Sequence, residues 1–425
     1  MDGDNRSLIL LPDDSLANTA AGTRRILSVM VEETLALGRE EAIAQTARFK
    51  IGDYSWCEPD YRQILLWAEA LKMEPLMVIE KLVAGEDTEE IATRFQDGRM
   101  LSLSWNLDEL PLRDFRGSEG LTVQKLLIYS PESSDLHEED PPEISLRLPS
   151  LRTLNCYCWR KKTSAIILTD VPNLTVLKYV CDLWTELDLS HVPNLTVLEC
   201  KINFLTNLDL FHVPSLTELE CSDNELTQLD LSRVANLTVL KCNFNFLTEL
   251  ELYYVPSLTA LECTGNHLTQ LDLSHVPSLT VLECMVNDLT QLDLSHVPKL
   301  TVLSCTGNGI TELDLSHVPS LTELVCDDNP HTELDFSHVP KLTVLSYTGN
   351  RITELDLSCV PSLTELDCRN NSLTELDLSH VPNLTVLLCS ENQLGELDIR
   401  PLQFLEALFY DEHSTRLIQR PDQNF

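Results

Sequence analysis

Cysteine thiols recur along this chain at a fixed step of 21 residues. Ten of the 14 cysteines occupy one position of the recurring unit or its equivalent: Cys156, Cys200, Cys221, Cys242, Cys263, Cys284, Cys305, Cys326, Cys368 and Cys389. Thiols brought together in this way can bind zinc or form disulfides. The chain has no C-x-x-C pair, however, and Tyr347 takes the same position in one copy. We therefore predict a packed column of small, reduced side chains, with a metal-thiolate column as the alternative.

Carboxylates and imidazoles follow the same step. Counted from the valine that begins each unit, position 18 is acidic in every regular copy, and position 21 is histidine in seven of them; Asp293 and His296 are one example. Stacked carboxylates suit calcium, but the Gly-Asp turns of known calcium-binding coils are missing. The interpretation favoured is a solvated acidic face, with a cation site and a pH-responsive histidine edge as alternatives.

Residues arranged for catalysis are sparse. Cys57 precedes an expected helix, whose dipole could lower a thiol pKa, but no histidine occurs before His137. No phosphate-binding loop or serine-nucleophile motif is present. We therefore interpret Cys57 as structural, and we expect no enzymatic activity, no cofactor and no metal.

The unit that positions these groups repeats eleven times without a break in register, beginning at Val171 and ending near residue 401. Within the copy that begins at Val276, two runs alternate apolar and polar residues: L-T-V-L-E-C and L-T-Q-L-D-L. Alternation with a period of two predicts strands. An asparagine follows the first run and a proline follows the second, as expected at bends. Such a short repeat buries its apolar face only against its neighbours, which predicts a stacked solenoid.

The run L-T-V-L-E-C-M-V-N-D-L resembles the leucine-rich-repeat signature L-x-x-L-x-L-x-x-N-x-L, with cysteine in place of the third leucine. Short repeats of this kind resemble those of bacterial, internalin-like proteins, over roughly residues 148–408. The resemblance implies an α+β chain: a parallel β solenoid, or leucine-rich-repeat horseshoe, with the signature strand on its concave side and few helices in the repeats. It also implies protein binding, since family members mostly bind proteins.

Shifts in composition divide the chain into five segments. We predict a disordered lead at 1–14, a helical N-terminal domain at 15–95 and degenerate repeats at 96–170, which include an acidic loop rich in Pro and Ser at 130–142. Eleven regular repeats at 171–401 and a C-terminal cap at 402–425 follow. Within the helical domain, Pro59 and Pro75 predict helix starts, giving helices at about 59–72 and 75–84.

The overall charge narrows the class of partner. The formal net charge of −37 over 425 residues disfavours nucleic acid and favours a protein partner with basic character. No apolar run is long enough to span a membrane, and no standard signal sequence is visible. We therefore expect a cytoplasmic protein with no membrane partner.

The candidate binding residues lie on the outward side of the signature strand and just beyond it. Positions 6 and 8 place valines beside acids, an apolar surface rimmed by charge that suits protein binding. Just beyond the strand, large apolar residues replace the small or polar consensus and form what we call the Phe-rich edge. The candidates are Val197, Val239, Val281, Val302, Glu199, Glu220, Glu262 and Glu283 on the strand, and Ile202, Phe204, Phe244 and Phe246 on the Phe-rich edge.

These observations predict a protein–protein interaction scaffold that binds its partner on the concave face and the Phe-rich edge. The alternative function is a bacterial effector or regulator whose N-terminal helical domain acts once the repeats engage a target. For the residues themselves, two structural explanations stay open. The valines could serve strand formation alone, and the aromatic residues could reflect local repacking.

Overall fold

A computed structural model describes most of the chain. The residues described are 30–31, 47–52, 54–84, 93–96, 99–106, 122–130, 144–158, 166–181, 185–330, 334–423 and 425. The chain divides into two compact units, Met1–Leu183 and Trp184–Phe425. The predicted lead at 1–14 and nearly all of the predicted acidic loop at 130–142 lie outside the described residues.

The first unit contains a three-stranded antiparallel sheet where the sequence predicted helices. Its order is β1 (Met30–Val31), β2 (Ala47–Ile51) and β3 (Tyr54–Trp56). Gly52, between the paired residues Ile51 and Tyr54, takes the left-handed conformation (φ 58°) that glycine tolerates. Apolar and polar residues alternate through β2, which is the strand period. The helical assignment of 15–95 is therefore wrong at these three strands, because runs this short give too little periodicity to separate a strand from a helix.

The two helices predicted from their prolines are confirmed as α1 (Glu58–Leu71) and α2 (Pro75–Ala84). Proline fits the first helical turn, where its missing N–H has no helical partner, and acidic residues in the first turn of α1 favour the positive helix end. Trp67 of α1 is buried, and its ring meets the ring of Trp105 edge-on with centroids 4.8 Å apart. This aromatic pair fixes α1 to the strand that carries Trp105.

A buried carboxylate also joins α1 to the strands. Asp60 is completely buried, and its Oδ2 accepts hydrogen bonds from the Met100 amide at 2.7 Å and the Thr122 hydroxyl at 3.3 Å. Its Oδ1 has no hydrogen-bond partner among the described residues. Burial raises the pKa of Asp60, although the hydrogen bonds and the charge of Arg99 act in the opposite direction.

The rest of the first unit is built from coils less regular than the later repeats. β5, β6, β8 and β10 pair in that order as parallel strands, β4 adds to β5 antiparallel, and β7 pairs with β9. The segment predicted as degenerate repeats, 96–170, therefore contains parallel strands that continue the same sheet. Their bounds are β4 (Arg94–Gln96), β5 (Arg99–Asn106), β6 (Lys125–Ser130), β7 (Ile144–Arg147), β8 (Thr153–Cys158), β9 (Ile166–Asp170) and β10 (Val176–Cys181).

The second unit is a parallel solenoid with one three-residue strand per coil. Each strand pairs with the next in a register of 21 residues, so that Val281 lies opposite Val302. The strands of this sheet are β11 (Val197–Glu199), β12 (Glu218–Glu220), β13 (Val239–Lys241), β14 (Ala260–Glu262), β15 (Val281–Glu283), β16 (Val302–Ser304), β17 (Glu323–Val325), β18 (Val344–Ser346), β19 (Glu365–Asp367), β20 (Val386–Leu388) and β22 (Ala407–Phe409). The prediction of a second strand is wrong for most units, because the described second runs of neighbouring coils form no hydrogen-bonded ladder. β21 (Glu396–Asp398), which pairs with β23 (Arg416–Ile418), is an exception. In two units the second run ends in a 3-10 helix, at Leu252–Tyr254 and at Phe336–His338.

The core of the second unit consists of the leucines, valines and cysteines that repeat at the inward positions. Val276, Leu279 and Cys284 are fully buried in one copy, as are their counterparts in the neighbouring coils. Asparagine at position 12 ties the coils together. Nδ2 of Asn287 donates to the Cys263 carbonyl of the preceding coil at 3.0 Å, and Oδ1 accepts from the Leu268 amide at 3.0 Å. The polar backbone groups of the bend are thus satisfied inside an apolar stack.

The last residues of the chain bond to the final coil. Nε2 of Gln423 donates to the carbonyls of Ile399 and Leu402 at 2.9 and 2.8 Å, and Arg420 donates to the carbonyl of Leu402 at 3.1 Å. The carbonyls of Ile399 and Leu402 are therefore paired by side chains of the segment that follows them.

Candidate binding surface

The cysteine column is a packing feature and is not arranged for chemistry. The column thiols in the second unit are buried and free. Burial raises the pKa of Cys305 to about 12, with a smaller contribution from the charge of Asp327. Metal binding needs a thiolate, which this environment disfavours. Within the described part of the chain, no group of three or more His, Cys, Asp or Glu side chains is arranged to hold a metal ion. Cys57 is likewise buried, at the start of α1.

The acidic column at position 18 has a local structural role. Oδ1 of Asp293 accepts a hydrogen bond from the Ser295 amide at 2.9 Å, and nearly every other described copy repeats this bond. The bonds from Ser295 hold the pKa of Asp293 below its ordinary value. These carboxylates shape the turn after the second run, which supports the solvated-face interpretation over a cation site. The histidine of the same turn adds little to stability through its ion pair, because His317 and Asp314 are both exposed and lie 3.7 Å apart.

The outward face of the sheet carries the valines and acids chosen from the sequence. All eight are half-buried, and a buried leucine separates position 6 from position 8 in each strand. The register aligns position 6 of each strand with position 6 of the next, so that Val197, Glu218 and Val239 are successive neighbours. The face therefore presents one mixed apolar and acidic row beside a second row that is acidic in four of the five strands from β11 to β15.

Ion pairs neutralise only part of this face. Lys241 Nζ lies 2.5 Å from Glu262 Oε1, and Lys201 Nζ lies 2.9 Å from Glu199 Oε1. Glu283 has no such cation among the described residues, and burial, followed by the charge of Glu262, raises its pKa. A cation from a binding partner would relieve this repulsion.

The four residues of the Phe-rich edge lie on the turn that follows the strand, and all four are exposed. Phe244 and Phe246 expose 57% and 50% of their surface, and Ile202 and Phe204 expose 38% and 45%. Each side chain is thus partly packed against the coils and partly in contact with water, and the exposed part is apolar surface that local repacking alone does not require. The turn follows the strand directly, so the two sets of candidate residues are adjacent along the chain in each coil.

The backbone at position 11 is left-handed in every copy from Ile202 to Glu391. Glycine holds this position in three copies, for example Gly265 and Gly307, while Ile202, Phe244 and Val286 adopt it with φ of 50–55°. Isoleucine and valine rarely take this conformation, because a branched Cβ crowds the backbone. The strained backbone makes these three residues candidates for a functional role.

The exposed residue that the sequence reading missed is Val286. It exposes 58% of its surface and continues the Phe-rich edge. A signal was present in the repeats, because glycine, aspartate and asparagine dominate position 11 and mark a left-handed turn. A valine there stands out only after that turn has been recognised.

A second aromatic cluster lies at the other turn of the coils, after the second run. Arg233 stacks on the Phe211 ring, with its Cζ 4.4 Å from the centroid, and Tyr253 meets the rings of Tyr254 and His275 edge-on. Although Phe211 and the two tyrosines occur in the same coils as the Phe-rich edge, they form a separate surface.

Comparison with known proteins places these features in a family. The model "Leucine Rich repeats (2 copies)" matches residues 340–380. The functional domain of InlJ from Listeria monocytogenes, which includes a cysteine ladder, is 33% identical in sequence; the match covers 71% of this chain and 64% of that domain, with a TM-score of 0.60. No curated protein matches the chain in sequence.

Two more distant structures have the same fold. The leucine-rich-repeat protein LIC12759 from Leptospira interrogans is 23% identical over 64% of this chain and 80% of its own, with a TM-score of 0.56. YopM, a leucine-rich effector protein from Yersinia pestis, is 25% identical over 65% of this chain and 88% of its own, with a TM-score of 0.51. The chain is therefore a leucine-rich-repeat protein, a solenoid of stacked 21-residue coils with a cysteine ladder.

Proposed function

We propose that this protein is an interaction scaffold that binds a protein partner through the outward face of the sheet and the Phe-rich edge. The observation that carries the proposal is the strained, exposed apolar side chain at position 11 in Ile202, Phe244 and Val286. Glycine would relieve the strain at these positions, as it does in neighbouring copies. Large apolar groups kept exposed in rigid backbone are typical anchors of protein interfaces.

The charge of the surface favours a basic partner. Glu220 and Glu283 add negative charge to the face, and the lysines beside them already pair with other glutamates. Nucleic acid is disfavoured because its phosphates would meet this acidic surface. No helix among the described residues is long and apolar enough to cross a membrane. A cytoplasmic location fits the column of free thiols, since disulfides form readily only in oxidising compartments.

An effector or regulator is the second candidate function. Leu66, Met77 and Val83 of the N-terminal helices each expose almost half of their surface, which gives the first unit an apolar surface of its own. The similarity to YopM, described as a leucine-rich effector protein, favours the same idea. In this function the repeats select the target and the first unit acts on it without catalysis.

Affinity capture with the full chain tests the first function. The bait variants are the wild type, Phe204→Ala/Phe244→Ala/Phe246→Ala, and Phe211→Ala/Tyr253→Ala/Tyr254→Ala. The last variant is a matched control, because it removes the same number of exposed aromatic rings from the other turn. We expect proteins that bind the wild type and the control but are lost from the triple phenylalanine variant.

A charge variant adds a second arm to the capture experiment. Changing Glu199, Glu220, Glu262 and Glu283 to glutamine should weaken capture and reduce its dependence on salt, because charge pairing across the interface is removed. Equal capture by the wild type and the triple phenylalanine variant would contradict the proposed site. Capture that also needs Leu66, Met77 and Val83 would favour the effector function.

A further inference from the structure

The large apolar residues of the Phe-rich edge occur in alternate coils. Ile202 and Phe204 occupy positions 11 and 13 of one coil, Phe244 and Phe246 occupy the same positions two coils later, and Val286 continues the series after two more. Neighbouring parallel strands lie about 4.8 Å apart, so anchors two coils apart lie roughly 9.6 Å apart along the stack. The edge therefore presents apolar groups at a regular spacing.

Acidic groups fill the coil between the two aromatic pairs. Asp223 and Glu225 hold positions 11 and 13 there, and both side chains are exposed. Neither forms an ion pair with another described residue. The lysines of the flanking coils, Lys201 and Lys241, pair with glutamates of the sheet face. The edge is thus negative between its two aromatic pairs, whereas the coil after Phe246 carries Gly265 and His267 at the same positions.

We infer that the partner presents a basic, amphipathic α-helix, which lies along the stack on the Phe-rich edge. Residues seven apart in a helix share one face and are about 10.5 Å apart, close to the two-coil spacing. Residues three or four apart fall between them, where Lys or Arg would meet Asp223 and Glu225. The partner pattern is therefore apolar at i and i+7 with a basic residue at i+3 or i+4. This inference rests on the proposed function.

An extended partner fits the spacing less well. Side chains on one face of a strand recur about every 6.7 Å, and the next same-face residue lies about 13 Å away. Neither distance matches roughly 9.6 Å. A helix also places a basic group between two apolar groups along one stripe, which matches the order of groups from Phe204 through Glu225 to Phe246.

The neighbouring glycine fixes where Phe244 lies. A Cβ built on Gly265 would lie 2.5 Å from Cδ1 of the Phe244 ring. The ring therefore rests on bare backbone of the next coil, and a side chain there would displace it. Gly265 is a positioning residue for this anchor, so Gly265→Ala moves the ring without changing its chemistry.

Peptide binding to the full chain tests the inference. The probe is a fluorescein-labelled 21-residue peptide of Leu, Ala and Lys, with Leu at i, i+7 and i+14 and Lys at the intervening i+3 and i+4 positions. One control peptide has the same composition in an order without a stripe, and another has Glu in place of Lys. Fluorescence anisotropy at fixed salt gives Kd, and circular dichroism verifies that each protein variant is folded.

The expected result is specific to the pattern and to the edge. The striped peptide should bind the wild type about 10-fold more tightly than the reordered peptide, and the Phe204→Ala/Phe244→Ala/Phe246→Ala variant should lose about 10-fold or more. Gly265→Ala should weaken binding of the striped peptide by about 3-fold. The Phe211→Ala/Tyr253→Ala/Tyr254→Ala control should stay within about 2-fold of the wild type, since hot spots dominate binding.

Three outcomes would overturn the inference. Equal affinity for the striped and reordered peptides would mean that binding depends on peptide charge and not on the order of apolar and basic residues. Unchanged affinity in the folded triple phenylalanine variant would place the helix elsewhere. No binding of the striped peptide, together with edge-dependent capture of a protein partner, would exclude the helix and leave the proposed function intact. Capture that is independent of the edge would remove the proposed function as well.

Discussion

Replacing Asn287 by alanine breaks one rung of the asparagine ladder in the middle of the solenoid. The side chain is 8% exposed. Nδ2 lies 3.0 Å from the Cys263 carbonyl oxygen, and 3.2 Å from the carbonyl oxygens of both Cys284 and Met285; Oδ1 accepts from the Leu268 amide at 3.0 Å. Alanine removes all of these bonds and leaves the Leu268 amide buried without its acceptor.

The expected cost follows from the number of groups left unpaired. A protein hydrogen bond contributes about 1 kcal/mol net, and a buried donor left without an acceptor costs about 1–3 kcal/mol. Asn287→Ala should therefore lower the free energy of unfolding by about 3–5 kcal/mol, if the bonds act additively. Asn236→Ala is the matched control, because Asn236 is exposed and makes one long bond of 3.4 Å to the Pro214 carbonyl. It should cost less than about 0.5 kcal/mol.

Urea denaturation followed by circular dichroism measures the loss, and hydrogen exchange locates it. Because each coil contacts only its neighbours, the damage should concentrate in the coils that carry Leu268 and Asn287. The Leu268 amide should lose protection, while amides several coils away keep theirs. A loss below about 1 kcal/mol for Asn287→Ala, or one equal to that of Asn236→Ala, would refute the role given to the ladder.

Three further predictions concern strain, thiols and pH. Val286→Gly should leave the free energy of unfolding within about 0.5 kcal/mol of the wild-type value, because relief of backbone strain at the left-handed position offsets the lost contacts and the larger conformational entropy of glycine in the unfolded chain. Val281→Gly, in the strand, relieves no such strain and should cost clearly more in the same urea titration. Of the twelve cysteines whose side chains the structure describes, Cys359 alone is exposed. It should react with a thiol reagent before the eleven buried ones, which react only on unfolding, and Cys359→Ser should remove this reaction. Burial raises the pKa of Asp60 above its ordinary 3.8, so the folded first unit binds this proton more tightly than the unfolded chain. The contribution of Asp60 to stability is therefore full below pH 3.8 and is lost as the pH rises through the raised pKa; Asp60→Asn should remove this part of the pH dependence in thermal melts from pH 3.5 to 7.

The repeats were predictable because their pattern is redundant. Leu279, Leu282 and Cys284 recur with the same spacing in copy after copy, and only one stacked arrangement buries all of them. In the first unit no such redundancy exists. The strand at Ala47–Ile51 depends on five residues, too few to distinguish a period of two from a helical stripe that starts upstream.

The proposed binding surface was predictable only in part. Deviation from the consensus identified Phe204, Phe244 and Phe246, because exposed aromatic residues stand out in uniform repeats. It did not reveal that Phe211 belongs to another surface, since that depends on which turn of the coil carries each residue. Val286 was missed because valine gives no sign of a left-handed backbone.

Hydrogen exchange of the full chain, with and without a protein partner captured by it, tests the central claim most directly. The account predicts slower exchange at residues 197–204, 239–246 and 281–286, with no change at 209–212 and 251–254. Protection confined to the turns at 209–212 and 251–254, or to the helices of the first unit, would contradict it.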